Sequence, residues 1–143
     1  MTVATILSEK GRDVVTSPPT MTLREVAQEL MRHGIGALVI VDVAGLVVGL
    51  ISERDLVAAV ATHGARALGE PVCDHMQINP VTASENDTID ATMQVMTLER
   101  RRHLPVLRET RLAGLVSIGD VVKHRIRVIE EEHRSMREYI AQA

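Results

Sequence analysis

The sequence predicts an α/β protein (α+β in its segregation of helices) made of two copies of one β-α-β-β-α unit, the second running into a long C-terminal helix. Three observations predict it. The pattern Gly-Leu-aliphatic-Ser-x-x-Asp occurs at Gly49-Leu50-Ile51-Ser52-Glu53-Arg54-Asp55 and returns 65 positions on, at Gly114-Leu115-Val116-Ser117-Ile118-Gly119-Asp120. Upstream, Thr22-Leu23 matches Thr88-Ile89, Leu30 matches Met96, and residues 37–41 match residues 103–107, all at an offset of 66. Within each copy, continuous apolar runs alternate with stretches of helical periodicity, the order of an α/β layer architecture. The one residue lost between the offsets fits between Asp42-Val43-Ala44-Gly45 and Arg108-Glu109-Thr110-Arg111, since turns absorb length changes that strands do not. Val3-Ala4-Thr5-Ile6-Leu7 is a looser echo of Val72-Cys73-Asp74-His75-Met76.

Each element has a local reason. Val3, Ile6 and Leu7 mark a short amphipathic piece. Val14-Val15-Thr16 is β-branched and reads as a strand closed by Ser17-Pro18-Pro19. Thr22 and Glu25 have capping-box spacing, in which hydroxyl and carboxylate satisfy backbone N–H groups reciprocally. Leu23, Val26, Ala27, Leu30 and Met31 then follow at helical spacing, and Gly34 and Gly36 end the helix. Residues 37–41 and 46–52 are apolar runs without polar alternation, the pattern of strands covered on both faces. Residues 53–60 read as a helix with Leu56, Val57, Val60 and Ala61 inward, and residues 62–71 as a small polar connector. The second copy repeats the order: a strand at Val81-Thr82, a helix over 88–98, strands at 104–107 and 112–117, and a helix from about Ile118. The expected units are a first repeat at 1–61, a linker at 62–71, a second repeat at 72–127 and a helical extension at 128–143. Along the last helix, Val122, Ile126, Ile129, His133, Met136 and Ile140 alternate spacings of four and three. That is a heptad seam with one polar interruption. It is read either as a helix lying against its own domain or as a helix pairing between two chains.

Composition narrows the function. A chain of 143 residues that is 45% hydrophobic has enough apolar material for a core, yet it holds no Phe, no Trp and one Tyr, so aliphatics and seven Met must fill the interior. Single-stranded nucleic acid is usually gripped by aromatic stacking, and a net charge of −3 gives no general attraction for polyanions, so no nucleic-acid partner is expected. The lone Cys73 excludes an internal disulfide, and a reducing cytoplasm is the expected location. Cys73 itself reads as a buried, inert thiol. The N-terminus lacks a signal-peptide pattern, and no uncharged apolar stretch is long enough to span a membrane, so no membrane partner is expected.

The duplicated unit, each copy closed by Gly-aliphatic-aliphatic-Ser-x-x-Asp, resembles a tandem pair of cystathionine-β-synthase (CBS) domains, also called a Bateman module. The resemblance covers residues 3–127 and is closest to small bacterial proteins that consist of a CBS pair alone. It implies two repeats packed about a pseudo-two-fold axis, with up to two ligand sites in the cleft between them. It also implies adenosine-type ligands (AMP, ADP, ATP, NAD(H), S-adenosylmethionine) and head-to-head or head-to-tail homodimers.

The motif residues have a bland reading and a functional one. Ser at a strand-to-helix junction is an N-cap, and Asp three residues on answers the helix dipole. A carboxylate there repels phosphate but suits a vicinal diol, because it can accept both hydroxyl protons of a ribose. Asp55 and Asp120 are therefore assigned to ribose, as in the family. Phosphate then needs cations, and guanidinium forks fit its oxygens. Arg54 adjoins Asp55, and Arg100-Arg101-Arg102-His103 precedes a strand of the second repeat; that run is otherwise a solvated helix end. Carried over from the family's crosswise sites, Ser52, Arg54 and Asp55 would meet Val81, Thr82, Arg101, Arg102 and His103. Ser117 and Asp120 would meet Val15, Thr16, Ile35, Gly36 and Ala37. Gly119 stands where Arg54 stands, and Ile35-Gly36 where Arg101-Arg102 stand, so the first pocket should be the more cationic. Lys123 and Arg125 are candidate cations for the second. Val15, Val81 and neighbouring aliphatics would sandwich adenine.

Other motifs fail. Gly34-x-Gly36 runs from helix to strand, the reverse of a dinucleotide-binding loop, and Gly114–Gly119 is no nucleophile elbow, because Leu115 stands where Gly-x-Ser-x-Gly requires its first Gly. The six His show no ligand spacing, so no metal is expected. The expected function is a non-catalytic nucleotide sensor acting through a homodimer or an unknown protein target. The alternatives are a nucleotide- or NAD(H)-dependent enzyme and a ligand-free dimerisation module.

Overall fold

The helices and strands fall in the same order in both copies, and each repeat's helices open on a Thr or Ser cap that the sequence supplies. The computed structural model describes residues 1–142. The first copy is β1 (Thr16–Ser17), α2 (Leu23–His33), β2 (Ala37–Val41), β3 (Val47–Ser52) and α3 (Glu53–His63), preceded by α1 (Val3–Lys10). The second is β5 (Ala83–Ser84), α4 (Ile89–Leu98), β6 (His103–Arg108), β7 (Arg111–Ser117) and α5 (Ile118–Gln142). Between them lies a short strand, β4 (Gln77–Ile78), which the sequence did not announce. One sheet has the order β1-β2-β3-β4 and the other β5-β6-β7, with β1–β2 and β5–β6 parallel and the rest antiparallel.

Thr22 and Glu25 form the expected capping box, and Gly34 closes α2 in the left-handed region at φ 62°. Leu23, Val26 and Leu30 are buried, but Met31 is 80% exposed. At about 100° per residue Met31 stands a quarter-turn past Leu30, beyond the buried stripe. In α3 the inward residues are Leu56 and Ala59, whereas Val57 is 69% exposed and Val60 and Ala61 also face solvent. The connector is more than a polar link: residues Gly64–Gly69 form a 3-10 helix, and Ala67 is fully buried with Leu56 and Ala59.

The strand expected at Val81-Thr82 begins two residues later, at Ala83. In the first copy the Val39 N–H donates to the Val15 carbonyl. At the offset of 66 the residue in place of Val39 is Pro105, which has no N–H, so the equivalent pairing cannot form. Likewise Val14 and Val15 lie just ahead of β1.

Three apolar clusters hold the molecule together. Leu38 and Ile40 of β2 point to α2 and α3, while Ala37 and Val39 point the other way and meet Leu112 and Leu115 of β7. This is why the run carries no polar alternation: both faces of β2 are covered. The second core, around Leu104, Val106 and Val116, contains Val3, Ile6 and Leu7 of α1. The first core in turn contains Ala67 and Val72 from the chain after α3, with Met76 packed against it. Each unit is thus completed by the segment that precedes the other's first strand.

The two motif glycines receive those segments. A Cβ on Gly114 would stand 2.7 Å from Leu7 Cδ2, and one on Gly49 would collide with Met76, whose Cγ would be 2.8 Å away. Neither glycine has a positive φ, so the requirement is close approach rather than backbone freedom. Leu7 and Met76 are equivalent positions of the loose echo, which the packing explains.

Candidate functional site

Both Ser-x-x-Asp segments form reciprocal caps. Asp55 Oδ2 accepts from the Ser52 N–H and Oγ–H, each at 2.9 Å, while Ser52 Oγ accepts from the Asp55 N–H at 3.4 Å. Asp120 Oδ2 accepts from the Ser117 N–H at 2.9 Å, and Ser117 Oγ from the Asp120 N–H at 3.1 Å. Each helix start is tied to the residue just ahead of β2 or β6: the Glu53 N–H donates to Gly36 O at 3.0 Å, and the Ile118 N–H to Arg102 O at 2.8 Å. The bland reading of the motif is therefore correct as far as it goes, and it leaves Asp55 Oδ1 without a hydrogen bond among the described residues.

What distinguishes the two aspartates is their third partner. Asp55 Oδ2 also accepts from Gln77 Nε2 at 3.0 Å. Asp120 Oδ2 accepts from Lys10 Nζ at 2.7 Å, and the same ammonium donates to Leu115 O at 2.8 Å. Burial pushes the Asp120 carboxyl up, but the hydrogen bonds from Lys10 and the Ser117 backbone outweigh it and hold the group below its ordinary value.

The Asp55 cavity is lined by Ser52, Glu53, Arg54, Leu50, Gly36 and Gln77 on one side and by Arg100, Arg101, Arg102 and His103 on the other. Four arginines and two carboxylate residues thus line one cavity. Arg100 sits at φ 54°, the left-handed position that Gly34 fills in the first repeat. A non-glycine residue there is strained, and the bend it makes leads the following arginines into the cavity. Arg101 Nε is buried without a partner, and so is Gln77 Oε1. The amide cannot be turned to satisfy that oxygen, because its nitrogen is what Asp55 binds. One buried donor and one buried acceptor are thus left open among the lining residues. Burial holds the His103 imidazole below its ordinary value, against the pull of Asp120, and Lys10 adds to the lowering.

The structure brings together Ser52, Arg54, Asp55, Arg101, Arg102 and His103 as lining of one cavity. Gly36 joins this cavity rather than the one beside Asp120, lying against the ring of His103, whose Cε1 a Cβ there would approach to 3.4 Å. Val81 and Thr82 are not among the lining residues, because the strand they were to form starts beyond them. Val15 and Ile35 pack on the first core, Ala37 is buried in the contact between the sheets, and Thr16 is exposed. Those four are not among the lining residues of the cavity at Asp120, which lies between α1 and α5 and is lined by Ile6, Glu9, Lys10, Lys123, His124 and Arg127. Ser117 is half-buried at its helix cap and Gly119 is exposed beside it. Arg125 instead pairs with Asp90 at 2.6 Å. Sequence reasoning left Leu50, Glu53, Gln77 and Arg100 out of the pocket. The first two lie inside the motif and were legible by position, Arg100 opens the basic run whose later members were assigned, and Gln77 comes from the unannounced β4. Cys73 is half-buried, not buried. Among the described residues no cluster of His, Cys, Asp and Glu is arranged to hold a metal, and no helix is long and apolar enough to cross a membrane.

A duplicated α/β module with a cationic, carboxylate-bearing cleft where the repeats meet is the architecture of a ligand-binding CBS pair. The CBS domain family model matches residues 6–62 and 72–127, and the chain belongs to that family. A CBS-domain containing protein from Agrobacterium tumefaciens is 48% identical and superposes with a TM-score of 0.85 over 87% of this chain and 99% of its own. A CBS domain protein from Pyrobaculum aerophilum, complexed with AMP, is 29% identical (TM-score 0.76; 84% of this chain, 89% of its own). A CBS domain pair in complex with 5-methylthioadenosine and S-adenosyl-L-methionine is 27% identical (TM-score 0.77; 86% and 94%). The chain spans 67% and 63% of the length of two curated relatives.

Proposed function

We propose that this protein is a non-catalytic regulatory module of the cytoplasm that binds an adenine nucleotide in the cleft beside Asp55. The observation that carries the reading is the composition of one cavity: a capped carboxylate with an oxygen to spare, sharing its walls with Arg54, Arg100, Arg101 and Arg102. The vicinal hydroxyls of a ribose donate to Asp55, phosphate oxygens accept from the arginines, and Leu50 offers the base an apolar contact. Relatives solved with AMP and with S-adenosylmethionine and methylthioadenosine support adenosine as the common part of the ligand. The surplus of guanidinium favours an anionic form (AMP, ADP, ATP or NAD(H)) over the cationic sulfonium or the uncharged thioether. Lys10 already occupies Asp120, so the Asp55 cleft fills first. A ligand spanning both repeats changes how they sit together, and a second copy of the chain or a protein target reads that change, provided its affinity differs between the two states.

The test is a thermal-shift panel of AMP, ADP, ATP, NAD⁺, NADH, S-adenosylmethionine and adenosine. A ligand at about 100 times its dissociation constant stabilises the fold by roughly 2.7 kcal/mol. Shifts with the phosphorylated ligands that exceed those with adenosine, and that vanish in Asp55→Asn, are expected. No shift with any of them on nucleotide-free protein overturns the reading, and ATP turnover above background overturns its non-catalytic part.

A further inference from the structure

Helix α5 has two apolar faces. One, made by Val121, His124 and Val128, lies on the body of the second repeat. The other runs through Val122, Ile126, Ile129, Met136 and Ile140, which are between 45% and 70% exposed, with His133 also exposed in the same line. From 129 to 142 every residue is exposed, so the last turns of the helix stand clear of the domain. The reading of this helix as one lying on its own domain therefore fails for its second half. A seam of this spacing meets a like helix by knobs-into-holes packing.

The charges beside the seam say which helix. With Ile126, His133 and Ile140 at the first core position of each heptad, the flanking positions are Lys123, Glu130 and Arg137 on one side and Arg125, Glu132 and Tyr139 on the other. In a parallel, in-register pair each residue of the second side faces the first-side residue five positions on in the mate. Arg125 then meets Glu130 and Glu132 meets Arg137, both of opposite sign. In the antiparallel pair that matches every seam residue, Glu130 meets Glu130, Glu132 meets Glu132 and Lys123 meets Arg137, all of like sign. Glu130, Glu132 and Arg137 form no ion pair among the described residues, while Arg125 holds Asp90 in an exposed pair that is easily exchanged.

We infer that α5 pairs with α5 of a second copy of this chain as a parallel, in-register two-stranded coiled coil. This deepens the homodimer part of the reading above by naming its surface, and it stands or falls separately from nucleotide binding. The polar His133 layer weakens the pair and sets its register, as a single polar core residue does in coiled coils.

Sedimentation equilibrium on the full chain tests it. The wild type should run at twice 15.7 kDa. Ile129→Asp/Met136→Asp, both exposed in the single chain, should return it to monomer with the methyl resonances of core Leu38 and Leu104 unchanged. His133→Leu should tighten the dimer. Glu132→Arg and Arg137→Glu should each weaken it about tenfold, because each change acts twice across the symmetry axis, and the double exchange should restore it. A monomeric wild type overturns the inference, as does a dimer indifferent to Ile129 and Met136. Failure of the double exchange to rescue overturns the parallel arrangement.

Discussion

Arg100 and Gly34 occupy equivalent ends of equivalent helices with nearly the same backbone, φ 54° and φ 62°, but only the glycine adopts it without cost. The strained residue is the one beside the cleft, where its side chain joins the cationic wall. Replacing it separates stability from binding. Arg100→Gly should stabilise the fold by about 1 kcal/mol, raising the thermal midpoint, while reducing the nucleotide-induced shift. Differential scanning fluorimetry with and without AMP reads both, and a midpoint that falls removes strain from the account. The same scale explains why Asp55 and Asp120 are not equals. Their caps are the same, and the difference is one side chain delivered from elsewhere, a neutral amide in one case and an ammonium in the other.

Among elements, the most consequential packing is that of α1 on β7 and of the segment around Met76 on β3. Gly114 and Gly49 read at first as the opening letter of a ligand motif, but their role is to admit Leu7 and Met76. Gly114→Ala pushes its Cβ into a fully buried leucine and should cost about 1–3 kcal/mol. Chemical denaturation would measure it, and pairing the change with Leu7→Ala should recover part of the loss. A Gly114→Ala protein as stable as the wild type would mean that α1 is not held against that strand. The strand displaced from Val81-Thr82 to Ala83-Ser84 belongs here too: the offset of 66 found the repeat, while Pro105 decided where pairing begins.

At the scale of the molecule, the meeting of the repeats puts the His103 ring where the charges of Asp120, Lys10, Glu53 and Arg102 act on it. Its imidazole titrates below the ordinary value because it is buried, which makes stability depend on pH with a definite sign. Well above about pH 6.5 the ring is neutral in both states and contributes no slope. As pH falls through that value the unfolded chain takes up a proton that the folded ring resists, so stability declines. Asp120 adds a later loss: its lowered carboxyl stabilises above the ordinary carboxylate value, and that contribution disappears as pH falls through its folded-state value. Thermal midpoints measured from about pH 7.5 to about pH 5.5 should fall, and less steeply in His103→Gln. Equal slopes would assign the acid sensitivity to other groups.

How much was legible follows from the range of the forces. The caps at Thr22, Ser52 and Ser117, the helix stop at Gly34 and the two-sided burial of β2 depend on neighbours three or four residues away or on a strand's own period, and they were read from the chain alone. So was the first cationic wall, since Arg100, Arg101 and Arg102 are consecutive and precede a strand, and so was the seam of α5. Gln77 on Asp55, Lys10 on Asp120, Leu7 over Gly114 and the displacement of Gly36 to the first cleft were not. Those contacts join segments far apart in the chain, and periodicity carries no information about which segment returns where. The sequence by itself determined a duplicated α/β unit, its caps and the chemistry available at each repeat. Only the tertiary structure decided which side chain completes each aspartate, because the segment preceding each repeat packs on the other.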